Sequence, residues 1–157
     1  MSLRISLDKL NKLAKGKRNT FASNFTGLLL KNGGKGKASR MFEKVFTYSC
    51  IRLKKPYPYI VKNLMEKLAL PFELKTETRG KRQYQAPYFA KRRRYRYLAM
   101  RSIIKDVRND KVLNNLTTRL SYEVARVLTN MPSKTVKKLE DLRQDVVTHK
   151  AYFHFRW

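Results

Sequence analysis

The chain has 157 residues, 42% of them hydrophobic, with 37 Lys and Arg against 11 Asp and Glu and a formal net charge of +26. That length holds one domain with a modest core, and the apolar fraction excludes a wholly disordered basic tail. A charge excess of this size opposes compaction unless a polyanion answers it, and nucleic acid fits better than an acidic membrane surface.

Residues 1–24 read as a basic arm whose apolar positions (Leu3, Ile5, Leu7, Leu10, Leu13) are too mixed to fix an element. Met1-Ser-Leu-Arg-Ile-Ser-Leu lacks the apolar core and cleavage site of a secretory signal, and the retained Met1 is taken to mean that no presequence was removed. A short helix is predicted from Asn24-Phe25 to Leu30, stopped at Asn32-Gly33-Gly34, where glycine can take positive φ. A second helix places Phe42, Val45, Phe46, Ser49, Cys50 and Leu53 on one 3.6-residue stripe and ends at Pro56. A third carries Ile60, Val61, Leu64, Met65 and Leu68, tolerates Pro58 in its first turn, and stops before Pro71.

From 72 to 89 the pattern changes to alternation. Phe72-Glu-Leu-Lys-Thr-Glu-Thr and Gln83-Tyr-Gln-Ala-Pro-Tyr-Phe flank a glycine-bearing turn, Arg79-Gly80-Lys81-Arg82, which is a hairpin signal. With a basic tip and little apolar surface, this hairpin should protrude, and Pro87 is acceptable only at an edge or strand end. After Lys91-Arg-Arg-Arg-Tyr-Arg96 a fourth helix carries Leu98, Ala99, Ile103 and Val107. A fifth aligns Leu113, Leu116, Leu120, Val124, Val127, Leu128 and Met131. The sixth, with Ser133 as its N-cap, carries Val136, Leu139, Leu142, Val146 and Val147. The expected architecture is mainly α: a single-domain bundle of about six helices, residues 25–157, with one protruding β-hairpin between the third and fourth helices.

The charge is uneven: a net of +12 over residues 1–55, +8 over 71–101 and +5 over 102–157. The main polyanion contacts therefore belong to the N-terminal third and the middle. Catalysis finds little to use. Cys50, the one cysteine, lies on an apolar stripe, where a small buried hydrophobe is favoured over a nucleophile, and it excludes an intramolecular disulfide or a cysteine-rich zinc site. His149 and His154 have no carboxylate at ligand spacing, so no metal is expected. Glu140-Asp141 have basic neighbours within a turn and read as surface ion pairs. Gly33-Gly34-Lys35-Gly36-Lys37 fails the phosphate-loop spacing, though its accessible backbone and lysines suit phosphate contact. The run from Lys91 to Tyr97 joins guanidinium forks that fit phosphate to tyrosine faces on which bases stack. No apolar run approaches the length of a membrane-spanning helix. A nucleic-acid enzyme would have only Glu73 and Glu77 in the basic middle segment to work with.

Three ordered segments resemble the family of small ribosomal subunit protein seven. They are the hairpin from Phe72-Glu-Leu-Lys to Tyr84-Gln-Ala-Pro87, the entry Lys91-Arg-Arg-Arg with Leu98-Ala-Met-Arg101-Ser-Ile103, and Thr135-Val-Lys-Lys-Leu-Glu-Asp-Leu-Arg143 followed by Lys150-Ala-Tyr-Phe-His-Phe-Arg-Trp157. The resemblance implies a structural, non-enzymatic protein without cofactor, bound to the head (3′ major) domain of small-subunit rRNA and nucleating its assembly. It implies rRNA contacts at Lys35, Lys37, Lys75, Lys91, Arg92, Arg93, Arg94, Arg96 and Arg101. It places a hairpin tip of Arg79, Lys81 and Arg82 near exit-site tRNA and the mRNA exit path. Tyr152, Phe155, Arg156 and Trp157 would touch a protein neighbour, with platform protein eleven among the partners. Three departures stand out: Glu77 and Thr78 occupy usually basic positions, Lys81 replaces the second turn glycine, and residues 1–24 do not match. With the Lys/Tyr/Phe/Asn-rich usage, they suggest an organelle-encoded, mitochondrial form, with bacterial cytoplasm or plastid as alternatives.

Overall fold

A computed structural model describes residues 21–110 and 115–155. Six helices are present among them: α1 (Phe21–Leu29), α2 (Lys35–Leu53), α3 (Tyr57–Leu68), α4 (Arg92–Asn109), α5 (Leu116–Leu128) and α6 (Lys134–Thr148). Strands β1 (Phe72–Arg79) and β2 (Arg82–Phe89) form the hairpin between α3 and α4, and a 3-10 segment, His149–Phe155, follows α6. The mainly α bundle with its inserted hairpin is therefore the architecture observed.

The apolar stripes converge as their spacing requires. Phe42, Val45 and Phe46 of α2, Ile60, Leu64 and Leu68 of α3, Met100 and Ile103 of α4, and Leu120, Val124 and Val127 of α5 form one buried cluster. Each such side chain contributes roughly 1.5–3 kcal/mol on leaving water. One end of the core is aromatic: Phe42 and Phe46 lie 4.7 Å apart between centroids, and Phe25 stands 5.7 Å from each. Phe21 joins them at 5.6 Å from Phe46, and residues 21–24 lie within α1. The rest of that arm, residues 1–20, and Leu113 lie outside the described residues.

Helix ends follow their local chemistry. Pro58 sits in the first turn of α3, and Ser133 caps α6, its hydroxyl accepting from the Thr135 and Val136 amides at 3.2 and 3.4 Å. The buried carboxylate of Glu123 accepts in turn from the Ser133 hydroxyl and, at 3.0 Å, from that of Thr135. Lys67 donates to the Val127 and Leu128 carbonyls at 3.0 and 2.8 Å, satisfying the C-terminus of α5.

Three expected core positions are not core. Met131 is 58% exposed because α5 ends at Leu128 and Asn130, at a φ of 57°, turns the chain away. Val136 and Val147 of α6 are 40% and 71% exposed. That helix meets the hairpin base and α4 through Lys138, Leu139 and Leu142, around a cavity of about 280 Å³ shared with Phe72, Leu74 and Leu98.

Candidate nucleic-acid interface

The hairpin pairs Phe72 with Phe89 through to Arg79 with Arg82, leaving a two-residue turn, Gly80-Lys81. Gly80 has a φ of +60°, while Lys81 is not among the residues of positive φ. A type II′ turn needs positive φ only at its first central position, so the lysine in the second is accommodated and its charge stands at the tip. Counting back from the turn, Leu74 and Pro87 form a pair that exchanges no backbone hydrogen bonds. The missing proline N–H therefore costs the ladder nothing, and the base is closed by the Ala90 amide donating to the Pro71 carbonyl at 2.8 Å.

The hairpin is less bare than its composition suggested. The 3-10 segment lies along β2: the Tyr84 ring is 5.0 Å from Tyr152 and 5.2 Å from Phe155, and Phe89 is 5.6 Å from Phe153. Arg79 places its guanidinium 5.6 Å from the centre of the Phe155 ring. Tyr84 and Phe89 of β2 thus have partners 64 to 71 positions later in the chain, which alternation alone cannot reveal. Tyr152 and Phe155, expected to face a protein neighbour, are half-buried against the hairpin; Arg156 and Trp157 lie outside the described residues.

Helix α4 begins inside the basic run. Arg92, Arg93 and Arg94 occupy its first turn, with no acidic residue there and no side-chain cap on Lys91. The first turn of α2 likewise holds Lys35 and Lys37, again without an acidic residue or a side-chain cap. Cations at the positive end of a helix dipole are each disfavoured by a few tenths of a kcal/mol or more. Two helices that break the same local rule on one surface mark a place built for an external anion. The surface is shared: a groove of about 1060 Å³ between α1, α2, α3 and the start of α4 is floored by Phe42, Phe46 and Met100 and edged by Lys35, Arg92 and Arg96.

Protein partners sort these cations. Arg94 makes a two-pronged contact with Glu73 of β1, at 2.6 and 3.1 Å, tying the start of α4 to the hairpin. The Arg94 hydrogen bond holds the Glu73 carboxyl below its ordinary value. Sequence spacing gave no hint of this pair, which spans 21 positions. Lys75 lies 4.8 Å from the Tyr88 ring centre, and the Tyr88 hydroxyl donates to Glu77 at 2.6 Å. Among the described residues, Lys35, Lys37, Lys81, Arg82, Lys91, Arg92, Arg93, Arg96 and Arg101 have no carboxylate partner. All nine are exposed. Cys50 is half-buried, and burial pushes its thiol above the ordinary value, as suits a packing residue.

A family model described as ribosomal protein S7p/S5e matches residues 6–147. The chain is 30% identical over 135 residues to small ribosomal subunit protein uS7 of Wigglesworthia glossinidia brevipalpis, covering 86% of this chain and 85% of that one. It is 28% identical over 130 residues to uS7 of Buchnera aphidicola subsp. Baizongia pistaciae, covering 83% and 82% of the two chains. It is 30% identical over 151 residues to uS7m of Gallus gallus, covering 86% of this chain and 64% of that protein.

Proposed function

Because the chain belongs to the ribosomal protein S7p/S5e family and is a structural constituent of the small ribosomal subunit, we propose that it works without turnover, by binding the head domain of the small-subunit rRNA. The observation that carries this reading is the set of unpartnered cations gathered at the starts of α2 and α4 and at the hairpin tip. Phosphates placed there would satisfy the open amides of both helix starts and remove the repulsion between the arginines. Lys75 and Arg94, already engaged by Tyr88 and Glu73, act mainly by fixing the hairpin against α4.

In finer detail, the chain organises head assembly, and Arg79, Lys81 and Arg82 stand beside exit-site tRNA and the mRNA exit path. Neighbouring proteins, platform protein eleven among them, meet the C-terminal segment around Tyr152, Phe155, Arg156 and Trp157. The compartment we propose is the mitochondrial matrix, supported by the similarity to uS7m of Gallus gallus, which stands beside similarity to bacterial relatives.

The test is crosslinking within intact small subunits. RNA crosslinks of residues 91–96 should map to head-domain rRNA and those of residues 79–82 to bound tRNA or mRNA; crosslinks of both segments confined to proteins would overturn the reading. Cosedimentation with mitochondrial small subunits checks the compartment, and recovery only in another compartment would refute it.

A further inference from the structure

A second concentration of cations lies where the end of α2 packs against α5. Tyr48, Ile51 and Arg52 share one outward stripe at the end of α2, with Lys54 and Lys55 just after it in the chain, and Tyr48 and Ile51 are 50% and 58% exposed. This stripe lies away from the positions that enter the core, Phe42, Val45, Phe46 and Ser49. On α5, Tyr122 carries two guanidiniums: Arg52 at 4.6 Å from the ring centre and Arg126 at 4.5 Å. Lys55 stands 5.3 Å from the ring centre of Tyr59, which is 47% exposed.

These cations differ from ordinary surface charges in what they lack and in how they are held. Among the described residues, Arg52, Lys54, Lys55 and Arg126 pair with no carboxylate, and neither arginine is seen donating a hydrogen bond. Glu123, next to Tyr122 in sequence, cannot answer them because its carboxylate is turned inward to Ser133 and Thr135. Arg108, Arg119 and Arg143 show the alternative: the first two donate to backbone carbonyls and the third to Glu140. A ring under each guanidinium fixes its plane and leaves its N–H edge unspent. Two such forks on one tyrosine repel each other unless an anion lies against both.

We propose that Arg52 and Arg126, held on Tyr122 and flanked by Lys54 and Lys55, form a second RNA-backbone site separate from the hairpin and helix-start surface. Fixed forks match phosphate in two-pronged fashion, and the exposed rings of Tyr48 and Tyr59 offer faces to any unpaired base alongside. RNA is favoured over an acidic protein segment because π-faces alternate with cations here as they do from Lys91 to Tyr97. The inference rests on the rRNA-binding reading above, and it adds a second arm of the same RNA that the chain grips from another side.

The experiment measures the salt dependence of full-chain binding to small-subunit rRNA, for the natural sequence and for Arg52→Gln/Arg126→Gln. Loss of two phosphate contacts should lower the slope of log K against log salt by about 2. An unchanged slope, with natural binding intact, overturns this site and leaves the primary surface standing. Absence of binding by the natural chain would overturn both. Should the double variant fail to fold, the exposed pair Lys54→Gln/Lys55→Gln gives the same readout, with the same decrease expected and an unchanged slope again contradicting the site. In intact subunits, crosslinks from residues 52–59 to RNA support the assignment, whereas crosslinks to protein carboxylates alone refute it.

Discussion

Between Lys91 and Arg101 the cations stand clear of the protein, with Glu73 taking up Arg94 and no described carboxylate pairing with the others. From Asp106 to Thr148, Arg126 and Lys137 apart, several of the same residue types are absorbed into the fold. Lys138 pairs with the buried Asp106, and Lys134 with Asp110 at 3.5 Å. Arg143 pairs with Glu140 at 2.9 Å, Arg119 caps carbonyls near the end of α4, and Arg108 reaches the end of α1. Formal charge therefore overstates what the last third can offer a polyanion. What separates a binding cation from a structural one is whether the chain has already supplied its acceptor.

The largest effect should come from removing the free set. Arg92→Glu with Arg93→Glu and Arg96→Glu should lower affinity for head-domain rRNA on the order of 10³-fold, about a factor of ten for each contact, with little change in the unfolding midpoint. A loss of tenfold or less in a filter-binding titration would mean that these side chains are not at the RNA.

The opposite pattern is expected from the absorbed set. Glu123→Ala strands the Ser133 and Thr135 hydroxyls and weakens the cap of α6, costing about 2–3 kcal/mol in urea denaturation. The salt slope for RNA should not move, and a fall in that slope would break the distinction between the two regions.

Smaller changes are expected where the regions touch. Tyr152→Ala with Phe155→Ala removes the rings packed on Tyr84 and beneath Arg79. Amide exchange in β2 should speed up on the order of tenfold, since aromatic pairs contribute about 0.5–1.5 kcal/mol each. Unaltered exchange would show that the tail does not hold the hairpin.

The smallest effect is a pH dependence. Glu73 has its folded-state pKa lowered, chiefly by the Arg94 hydrogen bond, so the stabilisation is present above its unfolded value and disappears as pH falls through the folded one. Protection of the hairpin amides, relative to their intrinsic exchange rates, should fall on acidification below the ordinary glutamate range, and Glu73→Gln should abolish that dependence. A dependence that survives in the variant would assign it to another group.

Periodicity made much of this legible in the sequence. The stripes of α2 and α3, the breakers at Gly33 and Pro56, the Ser133 cap and the turn at Gly80 all follow from spacing and local chemistry. Met131, Val136 and Val147 were misplaced because a stripe shows which side of a helix could be buried, not whether a partner covers its whole length. Phe21 was missed because an isolated aromatic beside a basic arm has no period to join. The pairing of Arg94 with Glu73, and of Tyr152 and Phe155 with Tyr84, depends on segments distant in sequence, so no local pattern encodes it. The run at 91–96 was legible as chemistry but not as the first turn of α4, since helix preferences argue against arginines there.

The contrast between free and absorbed cations is tested most directly by two neutralised variants titrated against the same head-domain rRNA at several salt concentrations. Arg92→Gln/Arg93→Gln/Arg96→Gln should lower the slope of log K against log salt by about 3, and Lys134→Gln/Lys138→Gln/Arg143→Gln should leave it within experimental error of the natural chain. Equal decreases in the two variants would contradict the account.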